Sequence, residues 1–296
     1  MSAMNPPIIY LLPIAAVVML GGCQGRQDMD NTNDSFDSPD VLAVVFHPRP
    51  ERAAPVSGTQ FETLAVPVGR GIEVGGRFYA AGTNNPTILF FHGNGEIVAD
   101  YADVAAVYTG LGINFMPFDY RGYGRSTGRP TITAMLQDAH AVFDFARTWL
   151  RDRQYTGRLF VMGRSLGSAS ALELSAAHTN EVAGLIIDSG FEDALALMRR
   201  LGWRPRAGQA VPETPFRHKQ KILTYTGPTL IIHGTQDAII PLADAEALHR
   251  ASGSARKQLL RIRGGGHNNL MSVGFDEYFQ AVAGLVRPGG MQPKAE

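Results

Sequence analysis

Two hydrophobic periods alternate along most of this chain. Residues 61–68 and 71–80 alternate apolar with polar positions, as half-buried strands do. Gly69-Arg70-Gly71 separates the two stretches and Gly75-Gly76 interrupts the second, which predicts an antiparallel pair. Short continuous apolar runs follow at Thr87–Phe91, 113–118, 158–162, 182–188, 229–233 and Lys257–Ile262, and these read as strands buried on both faces. Helical spacing fills the gaps. Val98, Tyr101, Val104 and Tyr108 share one face of 97–108. Met135, Ala139, Val142, Phe143 and Ala146 share one face of 131–150, behind a Thr131 cap, and Phe275–Val286 is the last helix. Strands alternating with helices predict an α/β fold, a parallel doubly wound sheet with helices on both faces. With 296 residues and 45% apolar content, one large core in one domain over 56–290 is the expectation.

The first 55 residues follow neither period. Residues 8–20 form an apolar run too short to span a bilayer, which takes about 20 residues. Leu20-Gly21-Gly22-Cys23 comes next, small residues at a cleavage-like site. The segment resembles a bacterial lipoprotein signal over 1–23, and the resemblance implies that Cys23 is lipidated and becomes the first residue. Cys23 is the only cysteine of the chain, which sharpens the match; the lack of Lys or Arg before the apolar run departs from it. Gln24, rather than an aspartate, implies for a lipoprotein retention at the outer membrane, here on its periplasmic side. The expected partner at this end is therefore the membrane of the cell envelope. Residues 24–40 are rich in Asp and Asn and read as a disordered tether; 41–46 form an apolar element against the domain edge, within a peripheral segment reaching 55.

Net charge is zero, so nothing global points to nucleic acid. One cysteine gives no disulfide framework, and eight scattered histidines lack the spacing of a zinc site.

Chemistry concentrates where strands break. At 159–168 an apolar strand runs into Gly163-Arg164-Ser165-Leu166-Gly167 and then into a helix-like run of small residues. A serine at such a turn is held in a strained backbone with its hydroxyl raised above the sheet, near the positive end of the following helix. A serine hydroxyl needs a base, and a base needs an orienting acid. Catalytic groups in open α/β sheets collect at the carboxyl ends of strands. Asp237 lies just past the 229–233 strand and Asp188 ends the strand before it; Asp237 is favoured. His267 follows the last strand behind Gly264-Gly265-Gly266, on a loop able to deliver an exposed side chain. Two backbone N–H groups should stabilise developing negative charge. Leu166 offers one, and Asn94, in His92-Gly93-Asn94-Gly95-Glu96 after the 87–91 strand, offers the other. That loop lacks the Gly-Lys-Ser/Thr end of a phosphate cradle.

Together these pieces resemble the α/β-hydrolases, in the branch of small serine hydrolases with a His-Gly-Asn-Gly loop that includes protein depalmitoylases. The resemblance rests on His92-Gly93-Asn94-Gly95, the 119–126 segment Asp-Tyr-Arg-Gly-Tyr-Gly-Arg-Ser, Gly163-Arg164-Ser165-Leu166-Gly167, His233-Gly234-Thr235-Gln236-Asp237 and Gly266-His267-Asn268. It implies the α/β-hydrolase fold with a mostly parallel eight-stranded sheet. It also implies a triad in the order Ser165, Asp237, His267, and hydrolysis of acyl esters, thioesters or sometimes amides without metal or organic cofactor. A peptidase or amidase with the same triad, and a non-catalytic scaffold that binds a partner, are the alternatives.

Residues 191–226 lie where such a fold inserts a cap. Phe191, Leu195, Met198 and Leu201 would share one helical face, with Trp203 following, over an open acyl pocket. Seven basic residues from Arg199 to Lys221 face one acid, Glu213, and read mainly as a solvated face. Arg121 and Arg125 read as loop-knitting salt-bridge formers.

Overall fold

Strand residues that alternate between two separate apolar cores dictate the architecture. The structure, a computed structural model, describes residues 36–52, 60–205 and 216–287. In chain order the elements are α1 (Pro39–Val45), β1 (Glu62–Gly69), β2 (Ile72–Phe78), β3 (Thr87–Phe91), α2 (Ala102–Gly110), β4 (Asn114–Phe118) and α3 (Ile132–Asp152). They continue with β5 (Leu159–Arg164), α4 (Ser168–Ala177), β6 (Leu185–Asp188), α5 (Ala194–Arg200), α6 (His218–Thr224), β7 (Thr229–Gly234), α7 (Leu242–Ala251), β8 (Lys257–Ile262), α8 (Leu270–Val273) and α9 (Phe275–Val286).

The eight strands form one sheet in the order β1-β2-β4-β3-β5-β6-β7-β8. β2 runs antiparallel to β1 and β4, and every other pairing is parallel. Leu89, Phe91, Val161 and Ile187 face the core made with α1, α3 and α4. Ile88, Phe90, Phe160 and Ile186 face the other, made with α2 and α9. Every residue of β3, β4 and β5 is buried, which is why these strands read as unbroken apolar runs. Burying a large aliphatic or aromatic side chain contributes about 1.5–3 kcal/mol, so these central strands anchor the fold.

Several expectations are corrected. Gly75-Gly76 does not interrupt β2, which runs through both; Gly76 pairs with Phe118, whose ring fills the space a side chain there would need. From Phe36 to Asp40 the stretch expected as disordered tether is packed against the domain instead. Phe36 is buried in the core, and Asp37 Oδ1 accepts the Ile132 N–H at 2.7 Å and the Thr133 N–H at 3.3 Å, adding its charge to the N-terminus of α3. Thr131 caps the same helix by accepting from Ala134 N–H at 3.0 Å. α1 then packs Val41 and Val45 into the core, and Trp203 of the cap donates to Asp40 at 3.2 Å. Cys23 and most of the tether lie outside the described residues.

In the 191–226 segment expected to form a cap, the described helices are α5 and α6. Asp193 caps α5, and Ala194 and Met198 are its buried residues. Leu195 is only half-buried and Leu201 is 46% exposed, so the apolar face is rotated from the one the spacing suggested. The basic residues are largely held: Lys219 pairs with Glu192, Lys221 with Glu173, and Arg204 donates to the Arg199 and Trp203 carbonyls. Arg121 forms a bidentate pair with Asp138 at 2.7 Å to each oxygen.

His218 begins α6 fully buried between Phe191 and Phe216. Its Nδ1–H donates to the Phe191 carbonyl at 2.7 Å, and its Nε2 has no hydrogen-bond partner. Burial pushes its pKa down to about 3, against the pull of the Phe191 carbonyl. The folded protein therefore keeps His218 neutral while the unfolded chain protonates it below about pH 6.5. This contribution is complete above pH 6.5 and shrinks as pH falls toward 3, by roughly 1 kcal/mol per pH unit. Melting temperature should fall between about pH 6.5 and pH 4.5, and His218→Leu should flatten that slope; an unchanged slope would contradict the assignment.

Candidate active site

β5 delivers Ser165 through a turn with almost no free space. Ser165 has a φ of 50°, a left-handed conformation that side-chain-bearing residues avoid. A Cβ on Gly163 would overlap the Gly167 carbonyl, and one on Gly167 would overlap the Phe91 carbonyl of the neighbouring strand. The two glycines thus let strand, turn and α4 close on one another, and the serine between them carries the strain. Ser168 Oγ ties the turn by donating to the Ser165 carbonyl at 2.6 Å.

The structure brings Ser165, His267 and Asp237 together. His267 Nδ1 is 2.7 Å from Asp237 Oδ2, and its Nε2 is 2.9 Å from Ser165 Oγ. With the proton on Nδ1, His267 donates to Asp237 and accepts the Ser165 hydroxyl proton at Nε2. Asp237 Oδ1 accepts the backbone N–H groups of Ile239 and Ile240 at 2.9 and 2.8 Å, which fixes the carboxylate after β7. Burial alone would raise the Asp237 pKa, but the hydrogen bond and charge of His267, with the Ile240 N–H, outweigh it and hold the group below its ordinary value. Asp237 therefore stays ionised where an imidazolium would need it. All three side chains are largely shielded from water, being buried.

Asp188, the rival acid, faces elsewhere. Its oxygens accept the Ser189 and Tyr278 hydroxyls, each at 2.8 Å, and burial raises its pKa.

Asn94 and Leu166 line the same cavity as Ser165 and His267. Leu166 lies in the turn just past Ser165, where helical N–H groups have no carbonyl partner within their own helix. Asn94 is clamped by its side chain: Oδ1 accepts from the His47 N–H at 2.8 Å and the Tyr123 hydroxyl at 2.7 Å, and Nδ2 lies 2.7 Å from His47 Nδ1. His47 comes from the chain just after α1, so a segment read from sequence as peripheral forms part of the site.

Glu96 and Arg164 were also missed. Arg164 stands between Gly163 and Ser165, buried, and pairs with Glu96. It donates through Nη2 to the His267 carbonyl at 2.7 Å and to Asn268 Oδ1 at 3.3 Å. Glu96 Oε2 accepts the Gly93 N–H at 2.7 Å and the Tyr101 hydroxyl at 2.5 Å. Burial would raise the Glu96 pKa; Arg164, Tyr101 and the Gly93 N–H together pull it below the ordinary value. Arg164, a charge at the end of the otherwise apolar β5, was the one signal available, since such charges are rarely buried unless paired; Glu96 sits in the loop after β3 and offered none.

The cavity above Ser165 has a volume of about 240 Å³ and is lined mainly by apolar side chains, with Val45, Phe191, Leu197, Met198, Leu201 and Ile239 among them. No Asp or Glu lines it among the described residues. Among those residues, no group of three or more His, Cys, Asp and Glu converges as a metal site.

Comparison with known proteins agrees with this geometry. A family model for serine aminopeptidases of the S33 type matches residues 82–222. The chain is 29% identical over 204 residues to an uncharacterized protein of Mycobacterium tuberculosis, covering 67% of this chain and 69% of that one. It is 30% identical over 199 residues to human alpha/beta hydrolase domain-containing protein 17B, covering 64% of this chain and 62% of that protein. Among solved structures, a Pyrococcus furiosus esterase superposes with a TM-score of 0.65 at 16% identity, over 81% of this chain and 97% of that chain. Est1E from Butyrivibrio proteoclasticus with bound ferulic acid superposes with a TM-score of 0.60 at 18% identity, over 74% and 99%. Sheet order, strained serine turn and the superposed structures together give the chain the α/β-hydrolase fold.

Proposed function

We propose that this protein is a serine hydrolase that cleaves carboxylic esters or thioesters with apolar acyl groups. The observation that carries the reading is the unbroken hydrogen-bonded line from Asp237 through His267 to Ser165, opening on an apolar cavity. In this reading His267 Nε2 takes the hydroxyl proton as Ser165 Oγ attacks the acyl carbon. Asp237 holds the ring and balances its positive charge. The N–H groups of Leu166 and Asn94 stabilise the oxyanion of the tetrahedral intermediate. Its collapse expels the alcohol or thiol, which receives the proton from His267, and leaves an acyl group on Ser165. Water, activated by the same histidine, then releases the acid.

The family model's name raises an aminopeptidase as a second reading. An aminopeptidase has to hold a substrate ammonium group, and the cavity offers it no carboxylate among the described residues. The esterase activity named for the Pyrococcus furiosus neighbour suits the apolar lining better.

We further propose that Cys23 carries a lipid anchor that keeps the enzyme at a bacterial membrane, with Gln24 favouring the outer one. Cys23→Ala should move the protein from the membrane to the soluble fraction on cell fractionation; unchanged partitioning would count against the anchor.

A p-nitrophenyl ester series tests the chemistry. kcat/KM should rise with acyl length by about fourfold per methylene until the cavity is full, following about 0.8 kcal/mol per buried CH2, and then decline. Ser165→Ala should lose turnover, and Asp237→Asn should lower kcat by about 10⁴-fold through the wrong histidine tautomer. Turnover surviving in Ser165→Ala would overturn the assignment.

A further inference from the structure

The line from Asp237 to Ser165 fixes the ring of His267 but not its backbone. His267 follows three consecutive glycines, and Asn94 sits between Gly93 and Gly95. Neither loop has the intrinsic stiffness to hold its reacting group within the few tenths of an ångström that acyl transfer needs. Between them lies an ion pair that touches both. Arg164 Nη2 donates to the backbone carbonyl of His267 at 2.7 Å, while its Nη1 pairs with Glu96. The other Glu96 oxygen accepts the backbone N–H of Gly93 at 2.7 Å. One continuous polar chain therefore runs from the main chain beside the proposed oxyanion donor, through the residue next to the nucleophile, to the main chain of the proposed base.

We propose that Glu96 and Arg164 are positioning residues that hold the Asn94 loop and the His267 loop at a fixed separation across Ser165. The inference rests on the serine hydrolase reading given above. A buried ion pair is seldom the best way to stabilise a core, because removing two charges from water is costly. What this pair supplies instead is direction. The planar guanidinium sends donors to two partners at a set angle, which a lysine ammonium on a flexible stem does not reproduce. A Cβ at position 93 would strike both Arg164 Nη1 and Glu96 Oε2, at 2.6 and 2.9 Å, so the loop backbone rests directly on the pair. Arg164 is buried and Glu96 largely so, and Tyr101 also donates to the Glu96 oxygen that accepts from Gly93.

The test compares wild type, Arg164→Lys, Glu96→Gln and the double variant, with folding checked by thermal melting. Arg164→Lys should lower kcat by about 100-fold with KM little changed, as expected for a misplacement of about 1 Å in the reacting groups. Glu96→Gln, which keeps an acceptor for the Gly93 N–H, should lose less, and the double variant should be no worse than Arg164→Lys, because both act through one link. Amide hydrogen exchange supplies a readout independent of turnover: protection should fall at 93–96 and at 264–268 together in Arg164→Lys. A folded Arg164→Lys with wild-type kcat, losses that multiply in the double variant, or loosening confined to one loop would overturn the proposal. Wild type that turns over no ester while both loops loosen together in the variant would sink the hydrolase reading and leave the structural link standing.

Discussion

The close approach of α4 to β5 and β3 is the constraint on which the site depends. Because the Gly163 and Gly167 positions have no room for a side chain, the chain turns from strand to helix in three residues and Ser165 is forced to a positive φ. That strain, of order 1–3 kcal/mol, is sustained by the fully buried strands around it. The same turn gives each successive side chain its own partner. Arg164 pairs with Glu96 and reaches the His267 carbonyl, Ser165 meets the His267 ring, and all of Arg164, Ser165 and Leu166 border the cavity.

A second dependence runs through the N-terminal segment. Phe36 and Asp37 fasten it to the core and to α3, Asp40 reaches Trp203 in the cap, and Val45 and His47 close one side of the cavity. The first described stretch of the chain is therefore continuous with the wall of the cavity above Ser165, and His47 ties it to Asn94.

Much of this was legible in the sequence because it was local. β3, β8 and α9 fall where apolar period and run length put them, and Thr131 caps α3 as its position before an amphipathic run suggests. Ser165, Asp237 and His267 could be named because each follows a strand, and their chain order matched a known pattern. What stayed hidden was set by tertiary contact. α7 has the buried pair Ala245 and Leu248 but also exposed and acidic positions that blur its period. Glu96, Arg164 and His47 are ordinary polar residues in sequence, and only the fold brings residues 68 and 47 positions apart into contact. The packing of residues 36–40 was not legible either, since Phe36 is one apolar residue in a polar stretch and nothing local announces its burial.

The most direct measurement of the central claim is mass spectrometric mapping of the covalent intermediate. Wild-type protein quenched in acid during turnover of a slowly deacylating ester should carry the acyl mass on the peptide containing Ser165, and on no other. An acyl group found on a different residue, or turnover with no covalent species under conditions where deacylation limits the rate, would contradict the account.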